Sequence, residues 1–370
     1  MKRFICWALG FSPVLSLYGH SGFTIFDAFL LFGLVSFVAS GVLPITRSML
    51  LICFGIILSC FLSAWINSPD FTKEVFFRSG KWLLYISAAM VLAQKVSLDD
   101  LYPAFTVFIF LLYGFLTVQL ILMYFRGFYL PGFIEIGNLR VDNLVMHAES
   151  NALGTGFRPR SLLGEPSEIG FWGGIYLYVR AIRDRGRNVV LPSLLMVLLT
   201  VATRSATGVL LMGLVFILLL AYFDRVKHAS VLALLGLVIV VNYIVVFNGL
   251  NDLDLMRRWS DRFTIIHYAP GFFQEDLQIV LFGFSALGDD IFTIWPSGLT
   301  RIIFYYGVFG LVLVSLFMFR MVAGTSLRLT VIQLILIGSF FLLTPFGAGY
   351  SIVLVLLLFR GLQKSGVPRL

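Results

Sequence analysis

Long apolar runs separated by short polar segments are the feature of this sequence that most restricts its fold. A hydrocarbon core about 30 Å thick requires about 20 apolar residues per helical span. Hydrophobic residues make up 59% of the 370 and charged residues only 12%, whereas about 25% are charged in a soluble domain. A soluble chain of this length could not bury so much apolar surface, so we expect an integral membrane protein.

Twelve apolar runs are candidate transmembrane helices, which predicts an all-α polytopic membrane protein with a single domain over 1–370. The runs are 4–18, 23–43, 48–66, 78–94, 102–125, 168–182, 189–203, 206–223, 229–248, 298–319, 329–343 and 347–360. Several of them are short, so eleven spans are the alternative count. The first run is expected to remain as a signal anchor, because no small-residue cleavage site precedes a polar mature start.

The positions of the basic residues give the spans an orientation. With both termini in the cytoplasm, every short cytoplasmic connection contains Lys or Arg, as the positive-inside rule requires. The two long connections, 126–167 and 249–297, then become periplasmic loops. The net charge of +8 is explained by this topology, and we expect no nucleic-acid partner.

The first periplasmic loop ends in the sequence R-P-R-S-L-L-G-E-P-S-E over 158–168. Pro166 suits the first turn of a helix, and Glu168 in that turn complements the helix dipole. Arg158 and Arg160 lie just upstream, where guanidinium groups and free N–H groups together would bind an anion. The alternative is that the arginines meet lipid head groups or pair with nearby acids. Three small residues follow that allow a neighbouring helix to approach closely: Gly170, Gly173 and Gly174.

A tight turn, T-R-S-A-T-G over 203–208, separates two of the apolar runs. Arg204 is therefore expected at or just inside the outer interface. A charge at this depth costs a few kcal/mol unless it is paired or faces a cavity. Snorkelling to head groups and a cavity-facing site are the two interpretations.

The second periplasmic loop is expected to contain an amphipathic helix at the membrane interface. Its apolar residues recur every three or four positions: Leu253, Met256, Trp259, Phe263 and Ile266. The other face presents Asp254, Arg258 and Arg262, of which the first two are spaced to pair with each other. His267 follows and is a general-base candidate because its unperturbed pKa is near 6.5.

The remainder of this loop returns towards the membrane. Leu281-Phe282-Gly283-Phe284 is an apolar dip, Asp289 and Asp290 follow it, and Arg301 begins the next span. No P-loop, HExxH motif or nucleotide-binding glycine fingerprint is present in the sequence. Any chemistry is therefore expected at the outer face.

In their order, these elements resemble the O-antigen polymerase and ligase superfamily of bacterial inner membranes. The resemblance extends over 150–315 and includes the R-x-x-x-G-E-P-S loop, the Thr/Ser–Gly turn, the outer helix with arginine, Leu-Phe-Gly, and G-V-F-G at 307–310. It implies about twelve helices in a GT-C-like membrane glycosyltransferase architecture. It also implies transfer of glycan from a polyprenyl diphosphate to an acceptor hydroxyl at the periplasmic face of the inner membrane, without metal or cofactor.

Two details make the chain more similar to the polymerases than to the ligases. Glu165-Pro166-Ser167 stands where ligases tend to have Pro-Asn, and Pro296-Ser297 stands where many ligases have His-Asn. The resemblance implies that Arg160 and Arg262 contact the diphosphate. The other arginines of the expected substrate-binding set are Arg158, Arg204, Arg258 and Arg301. The general base is left open among three residues: Glu165, His267 and Asp289.

The expected function is polymerisation of polyprenyl-diphosphate-linked repeat units into O-antigen, capsule or exopolysaccharide. One alternative is a ligase-type transfer to a lipid or protein acceptor, and another is a transporter that flips a lipid-linked glycan. A flippase would need polar groups through the bilayer centre, and the sequence shows few. The expected partners are the lipid-linked glycan, membrane lipid and a protein that regulates chain length.

Overall fold

The computed structural model of the chain is mostly helical. It describes residues 2–20, 23–39, 47–67, 73–128, 130, 132, 140–141, 159, 161–163, 166–184, 190–203, 205–222, 274–284, 298–324, 326–343 and 352–365. The predicted span 229–248 and the predicted amphipathic helix over 253–266 lie outside these ranges, so both stay predictions.

The chain divides into two compact units. The first comprises Met1–Ala28, Val96–Asn251 and Gly361–Leu370. Its described elements are α1 (Lys2–Gly10), α2 (Ser12–Leu15), β1 (Tyr18–His20), β2 (Phe23–Thr24), α6 (Leu98–Arg126), β3 (Arg140–Val141), α7 (Pro166–Arg183), α8 (Val190–Ala202) and α9 (Ala206–Tyr222).

The second unit comprises Phe29–Lys95 and Asp252–Arg360. Its described elements are α4 (Arg47–Asn67), α5 (Lys73–Lys95), α10 (Leu277–Phe282), α11 (Gly298–Val322) and α12 (Leu327–Leu343). Two helices, α3 (Ile25–Ala39) and α13 (Ile352–Lys364), contain residues of both units.

Helix α6 is the central element of the first unit. Ser97 and Asp100 form a capping box at its start, and Gly127 ends it in the left-handed conformation with φ of 61°. Its 29 residues give a length of about 43 Å. The capping box explains why the helix begins before the predicted span 102–125, because apolar periodicity does not register a polar cap.

Aromatic side chains pack α6 against α7. Phe105 and Phe108 both meet the ring of Trp172 edge to face, with ring centroids 6.2 Å apart. Tyr102 stacks on Tyr176 at 6.0 Å. Buried aromatic pairs in these geometries contribute about 0.5–1.5 kcal/mol beyond the area that they bury, so this contact holds the two helices antiparallel.

A small antiparallel sheet with strand order β2-β1-β3 joins two connecting segments of the first unit. Gly19 pairs with Thr24 on one side and with Arg140 on the other. The segment after α2 and the first long loop are therefore hydrogen-bonded to each other.

In the second unit α4 runs antiparallel to α11. The Ser63 hydroxyl donates to the Tyr305 carbonyl at 2.7 Å, and Gly55 lies against Leu313. Helix α11 is interrupted at Gly307, whose φ of 65° and ψ of −171° are not helical. Only glycine populates that backbone region readily, so the break is encoded at this residue.

Among the described residues, two helices are long and apolar enough to cross a membrane, Leu98–Arg126 and Ile302–Val322. Their length and composition indicate membrane association. The predicted span 4–18 is replaced by α1, α2 and β1. Pro13 explains this interruption, because a proline lacks the N–H that would continue α1 and clashes with the preceding turn.

The closest helix contact in the first unit is between α7 and α9. A Cβ added to Gly170 would overlap the backbone carbonyl of Gly208, and one added to Gly174 would lie 2.9 Å from a methyl group of Val215. The predicted role of the glycines in helix approach is confirmed for this pair. Gly170 contacts Gly208, and Gly174, one turn further along α7, contacts Val215, further along α9. The two helices therefore run parallel.

We expect Gly170→Ala to destabilise the protein by about 1–3 kcal/mol, because the methyl group forces two backbones apart. Gly213→Ala on α9 is the matched control, since nothing lies within 4 Å of the added Cβ and alanine favours the helix. Thermal unfolding of both variants in detergent checks this. Equal stability of the two variants would contradict the backbone contact.

Candidate functional site

Most residues of the predicted site lie outside the described residues: Glu165, His267, Asp289, Arg158, Arg160, Arg204, Arg258 and Arg262. Arg301 lies in the first turn of α11. The roles assigned to these nine residues from the sequence stay predictions. The structure does describe the chain on both sides of Arg160 and of Arg204: Ser161 is bonded to α6, and Ser205 caps α9.

The starts of α7 and α9 lie side by side. A Cβ on Gly208 would lie 3.4 Å from the carbonyl oxygens of both Pro166 and Ser167. The hydroxyl of Ser205 accepts a hydrogen bond from the backbone N–H of Gly208 at 3.2 Å, which caps α9. Pro166 and Ser167 of the segment 158–168 and Gly208 of the turn 203–208, which the sequence presents as separate clusters, are therefore neighbours at the two helix starts.

A network of buried hydroxyl groups joins the start of α7 and the end of α8 to α6. The hydroxyl of Tyr113 donates to the carbonyl of Ile169 at 3.1 Å and lies 3.2 Å from the hydroxyl of Thr200. Thr200 itself donates to the carbonyl of Met196 at 2.7 Å. One tyrosine thus holds the start of α7 and the end of α8 against the same turn of α6.

The residue after Arg160 is held in the same region. Ser161 is buried and has a φ of 57°, and its hydroxyl donates to the Leu112 carbonyl. Its backbone N–H donates to the side chain of Gln119 at 2.8 Å. We call the region that comprises Ser161, Ile169 and Thr200, each bonded to Leu112 or Tyr113 of α6, and Gly208 beside the start of α7, the junction.

The electrostatics of the junction favour negative charge. Parallel helices α7 and α9 both begin there, and the N-terminus of each carries about half a positive charge in unsatisfied N–H groups. Glu168, in the first turn of α7, is only 7% exposed. A buried carboxylate at this point offsets part of that field.

Within the described part of the chain, the buried acids are Asp27 and Glu168. Asp27 accepts the backbone N–H of Thr24 at 2.7 Å, which caps the start of α3. From the sequence, Glu168 was expected to interact with the helix dipole or to pair with the upstream arginines. Its burial in the first turn of α7, next to Ser167 whose carbonyl lies near Gly208, makes it a further residue of the candidate site. The sequence signal for it was weak, because an acid in the first helical turn is ordinary.

Within the second unit, the Leu-Phe-Gly motif of the second long loop meets the G-V-F-G motif of α11 at Gly307. The backbone N–H of Phe284 donates to the Phe304 carbonyl at 2.6 Å, and a Cβ on Gly283 would lie 2.6 Å from the nitrogen of Gly307. The break at Gly307 removes the helical partner of the Phe304 carbonyl, and the N–H of Phe284 bonds to this carbonyl instead. The first two residues of the expected apolar dip, Leu281 and Phe282, end a short helix, α10, that packs on α11.

Comparison with protein-family models, with curated proteins and with solved structures found no match to this chain.

We expect Tyr113→Phe to lower the free energy of unfolding by about 1–2 kcal/mol, because two buried hydrogen bonds at the junction are lost. Tyr124→Phe is the control, since Tyr124 is exposed on the same helix. Thermal unfolding in detergent compares the two. A loss no greater than that of the control would show that the hydroxyl network does not hold the junction.

Proposed function

We propose that this protein is a metal-independent polysaccharide polymerase of the bacterial inner membrane, which joins polyprenyl-diphosphate-linked repeat units at the periplasmic face. One observation carries the proposal. The starts of the parallel helices α7 and α9 lie side by side, and two arginine-bearing segments, 158–160 and 204, adjoin in the sequence Ser161, which is bonded to α6, and Ser205, which caps α9. Both helix ends and both segments carry positive charge, so the junction suits a diphosphate.

The chemistry needs positive charge at that place. The acceptor hydroxyl oxygen bonds to the anomeric carbon while the bond from that carbon to the diphosphate oxygen breaks. The diphosphate leaves with the electron pair, and the hydroxyl proton passes to a base. Glu165, His267 and Asp289 remain the candidates for that base. Arginines that keep their charge at every physiological pH stabilise the growing charge on the leaving group.

Exposed apolar side chains support the proposed multi-pass architecture. On α6, Phe110 is 63% and Phe125 is 81% exposed, and Leu191 on α8 is 77% exposed. Monomeric soluble proteins rarely expose contiguous apolar patches larger than a few hundred Å². Lipid around these faces would remove the free-energy cost of exposing apolar side chains to water. This fits about twelve spans in a GT-C-like arrangement.

Contacts within each unit support the proposed orientation. At the start of α6, Lys2 pairs with Asp100 and Arg183 with Asp99, and all four are cytoplasmic by the positive-inside rule. The sheet joins residue 19 to residue 140, both on the proposed periplasmic side. In the second unit Arg360 donates to the Ala323 carbonyl at 2.7 Å, and both are cytoplasmic in the proposal.

The ligase and flippase alternatives differ from the proposal in their products. A polymerase makes a ladder of longer lipid-linked chains from a single substrate. A ligase adds no repeat unit without a separate acceptor, and a flippase moves the substrate across the bilayer without changing its length. Purified protein in liposomes with a lipid-linked repeat unit therefore separates the three functions.

We expect Arg160→Ala and Arg204→Ala to abolish chain elongation in that assay, since the growing charge on the diphosphate loses its counter-ions. Arg262→Ala should do the same if the role implied by the resemblance is correct. Arg126→Ala is the control, because Arg126 is exposed in the last turn of α6. Gel analysis of the products, at matched protein levels, measures the effect; full elongation by all three site variants would refute the site.

We expect a cysteine at 150 to react with a membrane-impermeant maleimide in intact spheroplasts, because loop 126–167 is periplasmic in the proposal. A cysteine at 365 should react only after permeabilisation. Ser150→Cys and Ser365→Cys are introduced singly after Cys6, Cys53 and Cys60 are replaced by serine. The reverse labelling pattern would contradict the orientation.

A further inference from the structure

We propose that Gln119 is a positioning residue that clamps both ends of the first long loop and thereby fixes Arg160 at the junction; the role assigned to Arg160 rests on the proposed function. From the sequence, Gln119 is one of few polar residues that interrupt the apolar runs, which is typical of hydrogen bonding between helices. The structure shows a different use of its amide.

Both ends of the Gln119 amide bind backbone outside the helices. Its NH₂ group donates to the carbonyl of Leu130 at 2.8 Å, and its oxygen accepts the N–H of Ser161 at 2.8 Å. Leu130 and Ser161 are the described residues that bound the segment 131–160 of the first long loop. One side chain thus closes the base of this segment.

The chain reaches Gln119 from both directions by local features. At the end of α6, left-handed Gly127 turns the chain, and the N–H groups of Gly127 and Phe128 donate to carbonyls of the last helical turns. Leu130 can then run back beside Gln119. On the other side, the Ser161 hydroxyl donates to the Leu112 carbonyl, two turns below Gln119 on the same helix.

Burial makes this clamp strong. Gln119 and Ser161 are both almost fully buried, and Ser161 N–H and Leu130 C=O belong to no helix that could satisfy them. A buried backbone group without a partner is costly, so the Ser161 end of the loop has a strong preference for the amide; the bond to Leu130 is partly buried. The loop is held again near its middle by the pairing of β3 with β1.

The functional consequence concerns the peptide bond between Arg160 and Ser161. Its nitrogen is the atom that Gln119 binds, so the amide fixes the backbone from which Arg160 extends. Misplacing a substrate-positioning group by about 1 Å can cost roughly 100-fold in rate. Releasing the clamp should therefore impair donor use without removing any charge.

The test uses the full-length protein with a specific protease site inserted after Met146, inside the clamped segment. Gln119→Met keeps the side-chain length and removes both hydrogen bonds; Gln119→Asn shortens the amide, so that it cannot reach both partners. Gln333→Met is the matched control, because Gln333 is also a buried glutamine with a bond to a carbonyl, that of Phe359, outside this loop.

We expect Gln119→Met to speed cleavage of the loop about tenfold, which corresponds to two lost hydrogen bonds, and Gln119→Asn to speed it about threefold or more, because the shorter amide loses at least one of them. Gln333→Met should leave cleavage unchanged. The KM for the lipid-linked donor should rise by about tenfold or more in the Gln119 variants. Asn is a mild change that keeps an amide, so it decides the outcome if the Met variant does not fold.

Unchanged loop cleavage in the Gln119 variants would overturn the clamp. Faster cleavage with an unchanged KM and kcat would support the clamp but would show that it does not position Arg160. Cleavage is measured without substrate, so it tests the clamp even if the wild-type protein makes no polymer. Absence of polymer from the wild type would instead reject the proposed function.

Discussion

The close approach of α7 to α9 is the contact on which the arrangement of the first unit depends. Gly170 meets the backbone of Gly208 with no room for a Cβ, and this sets the two helices parallel with their starts level. Ser161 and Thr200 are then held at the same height by Leu112 and Tyr113 of α6. A larger residue at either glycine would separate the starts of α7 and α9.

Parallel helices with adjacent N-termini place two positive dipole ends together, which is unfavourable unless negative charge lies nearby. The buried carboxylate of Glu168 supplies part of that charge. In the sequence, arginines adjoin both helix starts, so the local sequence is not optimised for stability alone. The proposed binding of an anionic substrate would give this repulsion a function.

Apolar periodicity predicted individual helices well where hydrophobicity alone decides them. The runs 189–203 and 206–223 correspond to Val190–Ala202 and Ala206–Tyr222. It was wrong for 4–18, because Pro13 divides an apolar run without changing its hydropathy. Gln119 was recognised only as a polar interruption. Its partners lie 11 and 42 positions away, and single-sequence patterns carry no information on such tertiary pairs.

The depth of the junction follows from the unequal helix lengths. Helix α6 continues for about 20 Å beyond Tyr113 to Arg126, and its exposed apolar residues extend to Phe125. Helices α7 and α9, of 18 and 17 residues, instead begin beside Tyr113. If lipid covers α6 to its end, the junction lies below the outer membrane surface. A diphosphate attached to a membrane-embedded lipid tail could then reach it without leaving the bilayer, whereas a freely soluble substrate would have to descend.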